Sequence, residues 1–253
     1  MSFILTKVKY EFYFYESFYF FWVFFYGGKR FSIFRMAVTY ADLRAQWMAA
    51  PATFDAEGTS LRILDEPVMQ SWELPYMTAL AAAACRTPMG HVLEVGYGMG
   101  LSADAHDVAS HTIIEANIDV AQRAMKWAET SLRPTTVLVG FWQDVTGSLI
   151  DGAYDGILFD VYPLTLAEVI DGEQSSFFAT AARLLRSGGV FTFYYDVVDS
   201  WYATRKLFRA ETTPLLLSVG FRSVDGDEVV EVQPPPDCAY FWKNMFLVPV
   251  AVK

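Results

Sequence analysis

The chain has 253 residues, 53% hydrophobic and 19% charged, so it can bury a sizeable core and is not disordered throughout. Its 19 Lys and Arg against 29 Asp and Glu give a net charge of −10. An acidic chain lacks the basic surface that displaces counterions from nucleic acid, so we expect no nucleic-acid partner.

Cysteine and histidine are too few to indicate a disulfide framework or a metal site. The two cysteines, Cys85 and Cys238, suit a reducing compartment, and we expect a cytoplasmic protein. The three histidines are His91, His106 and His111, and none lies at zinc-ligand spacing from a cysteine. We therefore expect no bound metal.

Residues 1–35 differ in composition from the rest of the chain. Between Tyr10 and Tyr26, thirteen of seventeen residues are Phe, Tyr or Trp, and residues 1–35 carry a net charge of +3. The uncharged run Ser17–Gly28 is shorter than the ~20 apolar residues that a spanning helix needs, so no membrane span is predicted. We expect 1–35 to be an aromatic extension, disordered or added by the gene model, with anchoring at a membrane interface as the alternative. One domain is expected over 36–253.

Helix and strand patterns alternate along residues 36–253. Helices are predicted at Tyr40–Ala49, Pro75–Cys85, Leu101–Val108, Val120–Ser131, Leu164–Leu185 and Ala203–Val219. Strands are predicted at His91–Val95, Thr112–Glu115, Thr136–Val139, Gly156–Asp160, Val190–Tyr194, Val229–Val232 and Tyr240–Val250. This alternation predicts an α/β fold, a doubly wound, Rossmann-like parallel sheet with helices on both faces.

A glycine-rich turn, Gly96-Tyr97-Gly98-Met99-Gly100, follows the first of these strands. Glycines let the backbone turn tightly against a ligand, and a helix N-terminus offers free N–H groups. Glu115 comes nineteen residues after Gly96, where an acid accepts hydrogen bonds from ribose hydroxyls. The spacing G-x-G-x-G after Glu94 is typical of S-adenosylmethionine sites rather than dinucleotide sites. An ordinary strand-to-helix connection is the alternative.

Two further acids are candidates for an acceptor site. Asp160 ends a predicted strand, and in an open α/β sheet that position borders the cofactor crevice; a cap on the next helix is the alternative. Glu73 precedes Pro75, where it could simply favour a helix N-terminus. If both carboxylates converge on one pocket without a lysine beside them, they form a site for a cation.

Several longer stretches together resemble one protein family. They are Leu61–Leu64, Pro67–Met69, Trp72–Met77, Leu93–Met99, Ile113–Asn117, Gly140–Val145, Asp155–Asp160 and Pro235–Tyr240. From about Trp47 to Lys253 the chain resembles the guanidinoacetate N-methyltransferases, which are class I S-adenosylmethionine-dependent methyltransferases. The resemblance implies conversion of a small guanidino substrate, guanidinoacetate, to creatine. S-adenosyl-L-methionine would be the cofactor and S-adenosylhomocysteine the second product, and we expect a monomer or homodimer.

The resemblance also implies a role for individual residues. Those implied to bind the cofactor are Trp47, Met69, Met77, Tyr97, Gly98, Met99, Gly100, Leu101, Ser102, Glu115, Ala116, Asn117, Trp142 and Gln143. Glu73 and Asp160 would bind the guanidinium of the acceptor as the catalytic acids, with Asp160 as the base. Val198 and Asp199 would occupy the places that bind the acceptor carboxylate. For Met69, Met77 and Trp142, plain core packing is the alternative.

The loop that contains Val198 departs from the family pattern, because it carries two acids, Asp196 and Asp199. A negative side chain there would oppose an acceptor carboxylate, although backbone N–H groups could still bind one. The alternatives are therefore another guanidino acceptor, either a small guanidino acid or arginine, or a cofactor-binding protein without catalysis. A nicotinamide dehydrogenase is disfavoured by the glycine spacing.

Overall fold

The structure is a computed structural model that describes residues 25–26, 29–30, 39–103, 108–165, 168, 173–195, 200–238 and 240–253. Strands β1 (Phe25–Tyr26) and β2 (Lys29–Arg30) pair antiparallel. The rest of the expected extension over 1–35 lies outside the described residues, as do Val198 and Asp199. Within the described part of the chain, no helix is long and apolar enough to cross a membrane.

A helix and a small antiparallel sheet precede the main sheet. Helix α1 (Tyr40–Ala49) has the predicted bounds, and it begins at a capping box in which Thr39 and Asp42 each accept a hydrogen bond from the other's backbone N–H. Three short strands follow: β3 (Ala52–Phe54), β4 (Ser60–Ile63) and β5 (Glu66–Gln70). They pair side by side in the same order as in the chain, with β4 in the centre. This small sheet was not predicted, because its strands are short and alternate too briefly to give a clear pattern.

The main sheet has seven strands in the described residues. They are β6 (His91–Val95), β7 (Ser110–Glu115), β8 (Thr135–Val139), β9 (Tyr154–Phe159), β10 (Leu185–Phe193), β11 (Ser223–Glu231) and β12 (Met245–Val252). Their order across the sheet is β8-β7-β6-β9-β10-β12-β11, and β12 runs antiparallel to both of its neighbours. The sheet is therefore mixed rather than wholly parallel, and its strand order reverses between β6 and β9, which makes that point the switch point.

Helices cover both faces of the sheet, as predicted. They are α2 (Leu74–Ala84), α3 (Ile118–Thr130), α4 (Trp142–Val145), α5 (Glu173–Leu184), α6 (Trp201–Leu207) and α7 (Thr213–Ser218), with a π-helical turn at Phe208–Thr212. Side chains of β9 alternate between two cores. Ile157 and Phe159 pack with α5, whereas Leu158 packs with α2 on the opposite face. The doubly wound α/β fold is confirmed.

Two predicted helices differ from those observed. Residues 101–103, predicted to start a helix, form a turn, and 104–107 lie outside the described residues. In the predicted helix Leu164–Leu185, Leu164 and Thr165 are not helical, Glu168 is helical, and α5 runs from Glu173 to Leu184.

Helix α2 packs against the sheet at Gly156 of β9. A Cβ atom on Gly156 would lie 1.8 Å from the carbonyl oxygen of Ala84 in the last turn of α2. The two backbones are therefore in direct contact. This contact fixes α2, and with it Glu73 just before the helix, against the centre of the sheet.

We expect Gly156→Ala to lower the free energy of unfolding by about 2 kcal/mol or more, because the new methyl group would force α2 away from β9. Gly147→Ala is the matched control, since a Cβ at Gly147 meets nothing within 4 Å. Urea-induced unfolding of both variants measures the difference. An equal loss in the two variants would show that close backbone contact is not the reason for Gly156.

Candidate active site

A cavity of ≈ 620 Å³ opens at the carboxyl ends of β6, β7 and β9. Val95, Glu115 and Asp160 reach it from these strand ends, and α1 and β5 contribute its outer wall. The volume suits a small-molecule site, and the switch point is where open α/β sheets bind their ligands. Within the described chain, no cluster of three or more His, Cys, Asp or Glu is arranged to hold a metal ion.

Nine of the residues implied by the resemblance line this cavity: Trp47, Met69, Glu73, Gly98, Glu115, Ala116, Trp142, Gln143 and Asp160. The structure thus brings the two candidate acids and much of the candidate cofactor site together. Seven others are not among the described residues of the lining, namely Met77, Tyr97, Met99, Gly100, Leu101, Ser102 and Asn117. Met77 is buried in the core beneath α2, which is the packing alternative weighed for it.

The glycine turn is built around a close backbone approach at Gly96. This residue has φ +91°, and a Cβ on it would lie 1.8 Å from the carbonyl oxygen of Asp160. Only glycine fits, because any side chain would collide with the neighbouring backbone. The turn and Asp160 are consequently held against each other at the switch point.

Glu115 is held at the end of β7 by backbone donors. One carboxylate oxygen accepts a hydrogen bond from the N–H of Tyr97 at 2.9 Å, and the other accepts from the N–H of Asn117 at 2.8 Å. Burial raises the pKa of Glu115, and these backbone hydrogen bonds oppose the rise. Glu115 lines the cavity at the end of β7, which is the position from which an acid binds the two hydroxyls of a ribose.

Aromatic side chains flank the same end of the cavity. Trp142 at the start of α4 lies edge-on to Phe177, with ring centroids 5.1 Å apart. Trp47 of α1 stacks on Tyr162 at 4.8 Å. Together with the Glu115 carboxylate, these flat apolar surfaces fit a nucleoside, which offers a planar base and a pair of hydroxyls.

Asn117 joins α1 to the body of the site. Its side-chain amide donates to the carbonyl oxygens of Trp47 and Ala50, both at 2.8 Å, and its Oδ1 accepts from the N–H of Val120 at 3.1 Å. Asn117 therefore caps α3 and holds the end of α1 in place. Its side chain shapes the cavity through Trp47 rather than by lining it.

A second contact holds the start of α1. The Tyr40 hydroxyl donates to Glu168 Oε1 at 2.6 Å. The other oxygen of Glu168 accepts from the backbone N–H groups of Leu164 and Thr165. Sequence reasoning missed Glu168, although Thr165-x-x-Glu168 is the pattern of a capping box.

The two candidate acids have different surroundings. Glu73 Oε1 accepts hydrogen bonds from the Tyr240 hydroxyl at 2.6 Å and from the N–H of Gln70 at 2.7 Å. Burial raises the pKa of Glu73 and both hydrogen bonds oppose the rise. Burial, with the charges of Glu73 and Glu94, raises the pKa of Asp160 to about 7.

Neither acid is explained by helix capping alone. No helix starts directly after Asp160, so the capping alternative for it is not supported by the described residues. Glu73 does bond the backbone of Gln70 in the turn that precedes α2, yet the residue also lines the cavity. Tyr240, which donates a hydrogen bond to Glu73, belongs to the stretch Pro235–Tyr240 of the family resemblance. The sequence alone predicts no role for it.

Carboxylates dominate the charge of the cavity. Five carboxylate residues line it, namely Glu66, Glu73, Glu115, Asp160 and Glu168. Among the described lining residues there is no Lys, Arg or His. A narrow, weakly solvated space lined by one sign of charge concentrates ligands of the opposite sign, so this cavity favours cations.

We expect Asn117→Ala to lower the free energy of unfolding by about 2 to 4 kcal/mol, since it removes three hydrogen bonds and leaves buried carbonyl groups unpaired. Hydrogen exchange of α1 should accelerate more than that of α2. Asn244→Ala, at an exposed position, is the control. Unchanged exchange in α1 would contradict the role of Asn117 in holding this helix.

We expect Asp160→Asn to stabilise the ligand-free protein relative to the wild type, and to do so more at pH 8 than at pH 5. The pKa of Asp160 is raised in the folded state, from 3.8 to about 7, so its contribution to stability falls as the pH rises through this window. Asparagine cannot ionise, so the variant does not lose this contribution to stability as the pH rises. Melting temperatures of the variant and the wild type at both pH values test this, with the exposed Asp65→Asn as control. A gain that is equal at pH 5 and pH 8 would contradict it.

Curated relatives with similar sequences are protein arginine N-methyltransferases. Protein arginine N-methyltransferase 2 of Yarrowia lipolytica is 31% identical over 150 residues, which is 55% of this chain and 30% of the relative. That of Emericella nidulans is 31% identical over 178 residues, which is 66% of this chain and 40% of the relative. The chain thus spans less than half the length of these relatives.

Solved structures share the fold at low sequence identity. Spermidine synthase from Thermotoga maritima superposes with a TM-score of 0.53 at 15% identity, covering 78% of this chain and 66% of that one. M. jannaschii TYW2, solved in complex with AdoMet, gives 0.53 at 14% identity over 79% and 84% of the two chains.

The family itself is shown by a match over most of the sequence. The model of the guanidinoacetate N-methyltransferase family matches residues 35–253, which contain the glycine turn, both candidate acids and the whole main sheet. The chain belongs to the guanidinoacetate N-methyltransferase family.

Proposed function

We propose that the protein methylates guanidinoacetate to form creatine, with S-adenosylhomocysteine as the second product. The observation that carries the proposal is the convergence of Glu73 and Asp160 on one cavity whose described lining holds five carboxylates and no basic side chain. A guanidinium is a planar cation that two carboxylates can bind through paired N–H···O hydrogen bonds.

The cofactor end of the cavity would be formed by residues already in place. Glu115 would accept the ribose hydroxyls, Trp142 and Gln143 would border the base, and Gly98 and Met69 would lie beside the methionine part. When bound, S-adenosylmethionine supplies a methyl group that is already activated on a positive sulfonium. The protein therefore has to align the acceptor and exclude water rather than activate the donor.

The acceptor poses the greater electrostatic difficulty. Two unit charges ~4 Å apart repel by about 4 kcal/mol at an effective dielectric constant near 20, and both the sulfonium and a guanidinium are positive. Glu73 and Asp160 would offset this repulsion. They would also hold the attacking nitrogen in line with the methyl group.

Proton transfer falls to Asp160. The guanidinium must lose one proton for its nitrogen to form the new N–CH₃ bond, and Asp160 can accept that proton as the bond forms. Its raised pKa of about 7 in the ligand-free site suits a base that works near neutral pH. The product then carries the methyl group, and the proton leaves from Asp160 to solvent.

Arginine in a protein is the second candidate acceptor. The curated relatives that are named protein arginine N-methyltransferase 2 support it, at 27% to 31% identity in their matched parts. Arginine presents the same guanidinium, so the same two acids would bind it. The two candidates differ in what is attached to that group.

Label transfer tests the acceptor directly. The full chain would be incubated with S-adenosylmethionine labelled in its methyl group and with guanidinoacetate, free arginine, an arginine-containing peptide, or a guanidino acid one methylene longer. We expect transfer to guanidinoacetate at the highest kcat/KM. Transfer to arginine peptide alone would overturn the proposal in favour of the second candidate.

We expect Asp160→Asn to lower kcat on guanidinoacetate by about 10² to 10⁴, which is the usual contribution of a general base. Binding of S-adenosylhomocysteine, measured by calorimetry, should change little because Asp160 is placed on the acceptor. Asp65→Asn controls for the loss of a negative charge. Near-normal turnover in Asp160→Asn would contradict the assignment of Asp160 as the base.

A further inference from the structure

Glu73 and Asp160, the acid pair of the cavity, differ in their hydrogen bonds, because the described donors contact Glu73 only. Glu73 Oε1 accepts from the Tyr240 hydroxyl and from the Gln70 N–H, at 2.6 and 2.7 Å. Among the described residues, none donates a hydrogen bond to the Asp160 carboxylate. Hydrogen bonds to a carboxylate stabilise its charged form, so the donors favour ionised Glu73.

The two acids are close enough for their charges to interact. Carboxylates that share a poorly solvated space ionise one after the other, and the acid with fewer donors retains the proton longer. In this site that acid is Asp160. The structure therefore contains an unequal pair, and the Tyr240 hydroxyl is one of the two donors that make it unequal.

We propose that Tyr240 is a positioning residue that fixes Glu73 as the anionic partner and leaves proton exchange to Asp160. For its link to methyl transfer the proposal rests on the proposed function, because the exchanged proton is the one that the acceptor releases. Tyr240 acts through Glu73 in this account. It takes no proton itself.

The hydroxyl of Tyr240 is held in place by packing. The ring lies tilted against Trp72, with centroids 5.9 Å apart, and Trp72 in turn stacks on Phe241 at 5.5 Å. The Trp72 indole N–H donates to the side-chain oxygen of Gln70 at 2.7 Å. Tyr240 and Gln70 are thus braced by the same tryptophan, and both donors reach the same oxygen of Glu73.

The charged and titratable groups described around the pair agree with a proton held on Asp160. The other carboxylates of the cavity, Glu66, Glu115 and Glu168, add charge of the same sign. From the segment before β12 come Tyr240 and Cys238, from the end of β9 comes Asp160, and from β6 comes Glu94. Burial and the charge of Glu73 raise the pKa of Tyr240. The hydroxyl consequently stays protonated and remains a donor across the working range of pH.

The test follows the carboxyl protons in the ligand-free full chain, with infrared or ¹³C signals assigned by Asp160→Asn and Glu73→Gln. In the wild type we expect one protonated carboxyl near neutral pH, lost in Asp160→Asn. In Tyr240→Phe we expect part of that signal to move to Glu73. An unchanged assignment in Tyr240→Phe would overturn the proposal.

A double-mutant cycle separates positioning from a general structural effect. Tyr240→Phe should alter the titration of Asp160 in the wild type but not in Glu73→Gln, where the hydroxyl has no carboxylate to hold. An equal effect in both backgrounds would overturn the proposal. Should Tyr240→Phe not fold, 3-fluorotyrosine at position 240 keeps the packing of the ring and makes its hydroxyl a stronger donor. Asp160 should then retain its proton to higher pH, and an unchanged titration would overturn the proposal. Tyr202→Phe, 78% exposed, is the matched control.

Kinetics supply an independent readout. We expect Tyr240→Phe to lower kcat about tenfold and to alter the pH profile, since one hydrogen bond to a charged group is worth about one pH unit. A loss of thermal stability with an unchanged pH profile would show a structural role only. The carboxyl signals are measured without substrate. They therefore test the effect of Tyr240 on Glu73 and Asp160 even if guanidinoacetate proves not to be the acceptor.

Discussion

The contact between Gly96 and the carbonyl of Asp160 is the constraint around which the site is arranged. It lies where the strand order reverses, so the glycine turn and Asp160 follow neighbouring strands. A side chain at Gly96 would separate them. This backbone contact therefore sets the distance between the proposed cofactor turn and the proposed acceptor acid.

The electrostatics of the cavity follow from this placement. Glu73 arrives from the opposite side, on the turn before α2, and α2 is itself pressed against β9 at Gly156. The two acids thus depend on two close backbone contacts, one at the carboxyl ends of β6 and β9 and one where α2 meets β9. Burial raises the pKa of both acids, and the charges of Glu73 and Glu94 raise that of Asp160 further, so ionisation of Asp160 costs stability in the ligand-free site.

Much of the fold was predictable because the central strands are continuous apolar runs separated by amphipathic helices. The glycine turn, Glu115 and Asp160 could be placed at strand ends by the same logic. The small sheet of β3, β4 and β5 could not, because its strands are short. The contact of Tyr240 with Glu73 joins positions 167 residues apart, and no local pattern reports it. The roles given to Val198 and Asp199 stay predictions.

The insertion of β12 between β10 and β11 has a consequence for assembly. Val252 pairs with Val190 and with Ser223, so an interior strand of the sheet is the last of its seven described strands in chain order. Pairing of this kind is non-local and slow compared with helix formation. Tyr240 lies just ahead of β12. A nascent chain can form the glycine turn early, but the hydrogen bond from Tyr240 to Glu73 forms only when the segment before β12 has docked.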